Sequence, residues 1–263
     1  MLKLLLMEYF IICLAALLGS GLTLFSGFGL GTILVPVFAL FFPIDIAITL
    51  TAIVHFLNNL FKLALLGRKA DKAIVFKFGV PSILAAFAGA YLLSYISHLA
   101  PLFDYTFMDS TFYVMPVKLT IAILLFVFSL FDLVPKLSNL QFDMKYLPLG
   151  GLLSGFFGGL SGNQGALRTA FLVRANLNKE AFIGTGVVIA CLVDISRLTV
   201  YANQLVHFGK DLNYGLLISA TVSAFIGAYF GHKLLKKITL KTVQVVVAGM
   251  LMLFAVLLGL GMI

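Results

Sequence analysis

Ala86-Phe87-Ala88-Gly89-Ala90-Tyr91 recurs 138 positions later as Ala224-Phe225-Ile226-Gly227-Ala228-Tyr229. Upstream of this pair, Asn59 and Lys62 fall opposite Asp194 and Arg197 at an offset of 135, and the turn around Gly27, Gly29 and Gly31 falls opposite Ser161, Gly162 and Gly165 at an offset of about 134. Offsets that drift by only a few residues identify one ancestral unit present twice, with small loop insertions. The apolar segments follow the same plan. They lie at about 4 to 25, 30 to 42, 46 to 66, 74 to 97 and 116 to 134, and again at about 147 to 160, 165 to 173, 181 to 202, 213 to 235 and 242 to 262. Repeat one therefore covers about 1–134 and repeat two about 146–263, joined by a polar linker over 135–145, within a single transmembrane domain of residues 1–263.

The apolar runs are continuous rather than alternating, which predicts membrane-spanning helices and excludes an outer-membrane barrel. The 263 residues are 62% hydrophobic and 11% charged, with a mean hydropathy of +1.12. Soluble domains are about half apolar and a quarter charged, so a water-soluble enzyme, a nucleic-acid binder and a disordered chain are all ruled out. At about 20 residues per span the length allows roughly eight to ten helices. The fold class expected is an all-α polytopic membrane protein with broken or re-entrant segments at the Gly-rich turns.

The net charge of +8 reports topology, because short cytoplasmic loops collect Lys and Arg. After the third segment of repeat one come Arg68, Lys69, Lys72 and Lys77, whereas the loop over 97–115 has no Lys or Arg. In repeat two the asymmetry reverses: Lys210 alone lies in the loop from Ala202 to Asp211, and Lys233, Lys236, Lys237 and Lys241 follow the fourth segment. Equivalent segments then cross in opposite directions, which is an inverted repeat, with both termini outside. Lys3 and the run from Leu4 to Leu18 have a signal-peptide look, but Glu8 interrupts the run, and it reads as the first membrane helix.

Two segments, 30 to 42 and 165 to 173, are too short to span, and each follows a Gly-rich turn. Backbone broken at membrane depth is tolerated where it lines an enclosed cavity, and paired breaks in inverted halves point to a transporter's binding site. The bland alternative is close helix packing. A half-helix beginning at Gly31 or Gly165 offers unpaired N–H groups and the positive end of its dipole, a site for an anion. Gly29 and Gly162 belong to these turns, Thr32, Asn163 and Gln164 add neutral donors, and Arg168 supplies a permanent charge.

A second constellation lies on the third segments: His55, Asn58, Asn59 and Lys62 in one, Asp194, Ser196 and Arg197 in the other. Charges within membrane helices face the bundle interior. Asp194 and Arg197, three apart, can pair along one helix face, either as a structural pair or with Asp194 as a proton or cation carrier; Lys62, near the helix end, is expected to snorkel. His98, His207 and His232 read as interfacial, and Tyr9, Tyr91, Tyr95, Tyr201 and Tyr229 as membrane-interface markers. Cys13 and Cys191 read as packing residues. No nucleotide loop, metalloprotease pair, nucleophile elbow, metal or cofactor motif is present.

Gly27-Phe28-Gly29-Leu30-Gly31 with Val35-Pro36, and Ser161-Gly162-Asn163-Gln164-Gly165-Ala166-Leu167-Arg168, resemble the sulfite exporter TauE/SafE family over about residues 10 to 260. That resemblance implies a small sulfur-containing anion, sulfite or an organosulfonate, as substrate. The first turn lacks the uninterrupted triple glycine that family members often show, and Ala170 stands where repeat one has Pro36. The function expected is a secondary transporter in the cytoplasmic (inner) membrane, not an enzyme, working by alternating access; the runner-up is a proton- or cation-coupled carrier of another small solute centred on Asp194. The partners expected are a small anion and membrane lipid, with no nucleic acid and with homo-oligomerisation left open.

Overall fold

The computed structural model describes residues 2–26, 29–138, 140–208, 213–234 and 240–263. Gly27, Phe28, Lys210, Lys236 and Lys237 lie outside the described residues, as do the side chains of His207, His232, Lys233 and Lys241. In chain order the helices are α1 (Leu2–Ser26), α2 (Leu30–Ala39), α3 (Ile44–Leu66), α4 (Lys72–Ile74), α5 (Val80–Ser97), α6 (Pro116–Leu133), α7 (Pro135–Ser138), α8 (Leu147–Ser161), α9 (Gly165–Leu172), α10 (Lys179–Phe208), α11 (Tyr214–Leu234) and α12 (Leu240–Gly259). A π-helical turn over Val75–Gly79 joins α4 to α5 into one rod. Among the described residues, Leu5–Thr23, Ile44–Lys69, Lys72–Ser97 and Lys179–Ala202 are long and apolar enough to cross a membrane. Phe10, Leu84 and Leu253 are each about two-thirds exposed, the arrangement expected when hydrocarbon replaces water around the bundle.

Helices pair across the two halves expected from the sequence. The first helix of each half packs on the fourth of the other, α1 on α11 and α8 on α5, while the third helices α3 and α10 pack together, as do the fifth, α6 and α12. Glycines make the exchanged pairs possible. A Cβ on Gly89 would fall 2.1 Å from the Phe156 carbonyl of α8, and one on Gly227 would fall 2.0 Å from the Leu17 carbonyl of α1. The glycine shared by the two copies of the hexapeptide therefore does one job twice, letting backbones touch where lipid supplies no hydrophobic drive for association.

Two features depart from the sequence reading. The loop over 97–115 contains a hairpin, β1 (Phe103–Phe107) antiparallel to β2 (Ser110–Val114), turned by Met108 and Asp109 at φ 48° and 61°. It is held to the chain end, with Tyr105 Oη donating to the Leu260 carbonyl at 2.7 Å. Tyr201 is fully buried rather than interfacial, and its hydroxyl donates to the Gly159 carbonyl of α8. Its ring fills the space beside the repeat-two turn, so Tyr201→Phe is expected to lower thermal stability by about 0.5–1.5 kcal/mol through an unpaired buried carbonyl while leaving the helix content intact. A thermal melt followed by circular dichroism measures both. Tyr91, Tyr95 and Tyr229 are exposed, and Tyr9, partly buried, donates to Asn213 Oδ1 at 2.7 Å.

The stretch around Phe142 and Asp143 docks on α9 and the turn that follows it. Phe142 N–H donates to the Ala170 carbonyl at 3.1 Å, its ring stacks on Phe171, and Arg174 pairs with Asp143 at 2.5 Å.

Candidate functional site

Both short helices are present and both begin at a backbone break. At the first, Gly29 is extended (φ −87°, ψ 141°) and caps α2 with no side-chain bond; Thr32 N–H donates to the Gly29 carbonyl at 3.1 Å, and the N–H groups of Leu30 and Gly31 have no acceptor within the helix. At the second, α8 ends on Gly162 in the left-handed region (φ 80°), and α9 starts three residues later with Gln164 as its cap, again with no side-chain bond. Only glycine adopts that conformation without strain, so the α8–α9 corner is set by Gly162. Ser154 Oγ ties the corner from within α8, donating to the Gln164 carbonyl at 3.1 Å.

The two breaks meet. A Cβ on Gly31 would lie 3.3 Å from the Gly162 carbonyl and 3.7 Å from Thr51 Cγ2 of α3. Thr32, Asn163 and Gln164 are buried at this junction. Asn163 Nδ2 and Oδ1, Gln164 Nε2 and Thr51 Oγ1 have no hydrogen-bond partner, and buried polar atoms left unmatched cost enough that each calls for an explanation.

Beside the junction lies a charged cluster between α3 and α10. Asp194 Oδ2 accepts from His55 Nδ1 at 2.7 Å and from Asn59 Nδ2 at 3.1 Å, while Oδ1 accepts from Arg197 Nε at 3.0 Å. Arg197 Nη2 is 2.7 Å from the same Oδ1 in ion-pair contact but outside hydrogen-bond alignment, so Nη1 and Nη2 both remain unmatched. A Cβ on Gly162 would be 2.9 Å from Arg197 Nη1, and one on Gly29 would be 3.7 Å from His55 Nε2. The cluster therefore touches both breaks, with the guanidinium against the second and the imidazole against the first.

Arg168 reaches back toward the start of its own helix, as its spacing from Gly165 implied. Its Nη1 donates to Gln164 Oε1 at 3.3 Å, and its Nε faces Gly186 of α10, where a Cβ would lie 3.4 Å away. The guanidinium seated on the Gly162 corner is Arg197. Lys62 does not snorkel: it is 7% exposed. The amide orientation of Asn58 that satisfies its neighbours sets Oδ1 3.1 Å from Lys62 Nζ and 3.0 Å from Ser20 Oγ, with Nδ2 donating to the Ala224 carbonyl. Asn58 thus serves Lys62 and α1, and Asn59 serves Asp194. His98 is exposed, its Nδ1 2.6 Å from the Ser94 carbonyl. Cys13 and Cys191 are free, Cys191 being buried. Among the described residues no cluster of His, Cys, Asp or Glu is grouped to hold a metal ion.

Thr51 and Ser154 are the site residues that sequence reasoning did not place there, while His55 was expected on the polar face of the third segment but without a partner. Its place on the face shared with Asn58, Asn59 and Lys62 was legible; its bond to Asp194 was not. For Thr51 and Ser154 no signal existed, because their role depends on which carbonyl or turn each meets.

Apolar helices packed through glycine contacts, with two half-helices ending inside against buried charge, define a polytopic α-helical membrane protein. The chain belongs to the sulfite exporter TauE/SafE family, whose family model matches residues 12–258. The family is one of transporters, so membership makes the chain a membrane transporter of the sulfite and sulfur-anion exporter type. No curated protein and no solved structure matches the chain.

Proposed function

We propose that the chain is a secondary transporter that moves sulfite or a small organosulfonate across the cytoplasmic membrane by alternating access of two inverted five-segment halves. The observation that carries this reading is the junction of the two breaks, where the N-termini of α2 and α9 meet the unmatched donors Asn163 Nδ2, Gln164 Nε2 and Arg197 Nη1. Donors stranded in a low-dielectric interior are satisfied by an acceptor that comes and goes. Charge supports the same conclusion. Arg197 and Arg168 act on one carboxylate, Asp194, and Lys62 lies within reach of Arg168 and His55, and the excess of cations favours a negatively charged ligand whose several oxygens suit a planar guanidinium. Both Asp194 oxygens are already engaged, so a cation carrier centred on that residue has no comparable support. The exchange of partners between α1/α11 and α8/α5 supports the division into two related halves joined at 135–145.

Sulfite and methanesulfonate are expected to raise the melting temperature of the purified protein where sodium, potassium and magnesium chlorides at matched ionic strength do not. Gln164→Ala and Arg168→Ala remove donors while leaving the three hydrogen-bond partners of Asp194 in place. If each loses one charge-assisted hydrogen bond worth about 1.5–3 kcal/mol, affinity falls roughly ten-fold to more than a hundred-fold. Undiminished affinity in both folded variants, measured by calorimetric titration, would place the ligand elsewhere.

A further inference from the structure

His55 is buried against the first break and takes part in no step of the reading above. Its Nδ1 is bonded to Asp194 Oδ2 at 2.7 Å, and the carboxylate can only accept, so Nδ1 carries the hydrogen and the neutral ring keeps its lone pair on Nε2. Nε2 is the nitrogen nearest Gly29, the residue that caps α2. Asn59 Nδ2 does not occupy that lone pair. It lies 3.1 Å from Nδ1 and 3.3 Å from Nε2, and a donor nearly equidistant from both ring nitrogens is off the lone-pair axis of each.

We propose that His55 is the proton site of transport, its Nε2 taking up a proton together with the anion and releasing it with the anion on the other side, so that the movement is anion–proton symport. The inference rests on the anion site proposed above. The charged groups facing His55 are Asp194 and Arg197 of α10 and Lys62 of its own helix, with Arg168 of α9 close enough to act on Lys62 and Asp194. Without a ligand, two or more cations oppose a further positive charge, while Asp194 alone favours it. An anion held at the α2 N-terminus adds a second negative charge on the Nε2 side and tips the balance toward the imidazolium. By linkage the proton then tightens anion binding by the same factor. The proton comes from water on the loading side and returns to water on the other, and Asp194 keeps the ring oriented throughout.

The probe is methanesulfonate, whose own charge stays constant over the range from about pH 5 to 8 in which histidine titrates. Added to the purified full-length protein in weakly buffered detergent solution, it is expected to draw about one proton from solution per anion bound, and its affinity to rise as pH falls. His55→Gln keeps a donor and is expected to bind methanesulfonate with an affinity flat across that range and with no proton uptake. In vesicles it should still exchange anion for anion but lose accumulation driven by a pH gradient. A merely structural histidine would change stability or affinity without abolishing the pH slope. Binding by the native protein with no proton uptake overturns the proposal whatever the variant does, and so does proton uptake that survives in folded His55→Gln, which would assign the proton to Lys62. Failure of the native protein to bind any anion overturns the anion site itself, an outcome distinct from binding without protons.

Discussion

Asp194→Asn is expected to remove most of the folded protein recovered from membranes. Its carboxylate is fully buried and holds three partners, His55, Asn59 and Arg197, at 2.7 to 3.1 Å. An amide of the same shape keeps one acceptor oxygen but carries no charge, so Arg197, also fully buried, is left as an uncompensated cation. Breaking one partner of a buried pair costs about 3–5 kcal/mol, chiefly through the stranded charge. That is a large share of the roughly 5–15 kcal/mol by which folded proteins are held together. The double change Asp194→Asn with Arg197→Gln removes both charges and is expected to recover a substantial part of the loss. Recovery stays partial because the His55 Nδ1 hydrogen keeps a weaker acceptor. Yield of monodisperse protein and its melting temperature decide the matter. A single variant as stable as the double one would mean that Arg197 is neutralised by something other than Asp194.

The breaks that organise the site were legible because they rest on glycine and length. Gly29, Gly31, Gly162 and Gly165 sit at equivalent points of two copies, each ahead of an apolar run too short to span, and the helices found there are 10 and 8 residues long. The spacing of Asp194 and Arg197 also sufficed to place them on one helix face. For Arg168 the local reach was legible and the neighbouring helix was not. Distance along the chain from Gly165 said that its side chain could reach the helix start, and it does reach Gln164. What the chain could not say is that α10 crosses behind Gly162 and brings Arg197 there first. Tyr201 was misread for a related reason: a tyrosine near a helix end is an interface marker only when no neighbouring helix covers it, and α8 covers this one. The hairpin over 103–114 escaped because a short alternating stretch without an Asn-Gly turn looks like any polar loop; its turn residues are Met108 and Asp109, both at positive φ.

Gly155→Ala is expected to be far more damaging than its single methyl group implies. On α8, Gly151, Gly155 and Gly159 recur every fourth residue and form a groove against α5 in which backbone meets backbone. A Cβ at the three positions would fall 2.2 Å from the Phe78 carbonyl, 2.2 Å from the Ser82 carbonyl and 2.1 Å from the Ala86 carbonyl. These are main-chain atoms of a continuous helix and have no alternative rotamer, so relief requires α8 and α5 to separate along their length. Overpacking commonly costs about 1–3 kcal/mol when side chains can shift; with backbone on both sides the expected loss is at or beyond that upper figure. Separation would also displace the α8–α9 corner, since Ser154 holds the Gln164 carbonyl from the same helix, so anion affinity should fall with stability. Gly249 of α12 supplies the contrast. Nothing lies within 4 Å of a Cβ built there, and alanine at that position should leave stability unchanged or raise it, up to the roughly 1 kcal/mol by which alanine exceeds glycine in a helix. Gly227→Ala, aimed at the Leu17 carbonyl 2.0 Å away, is expected to match Gly155→Ala. Melting temperatures of the three proteins test this: if Gly155→Ala and Gly227→Ala melted as high as Gly249→Ala, close backbone approach could not be what holds the exchanged helix pairs together.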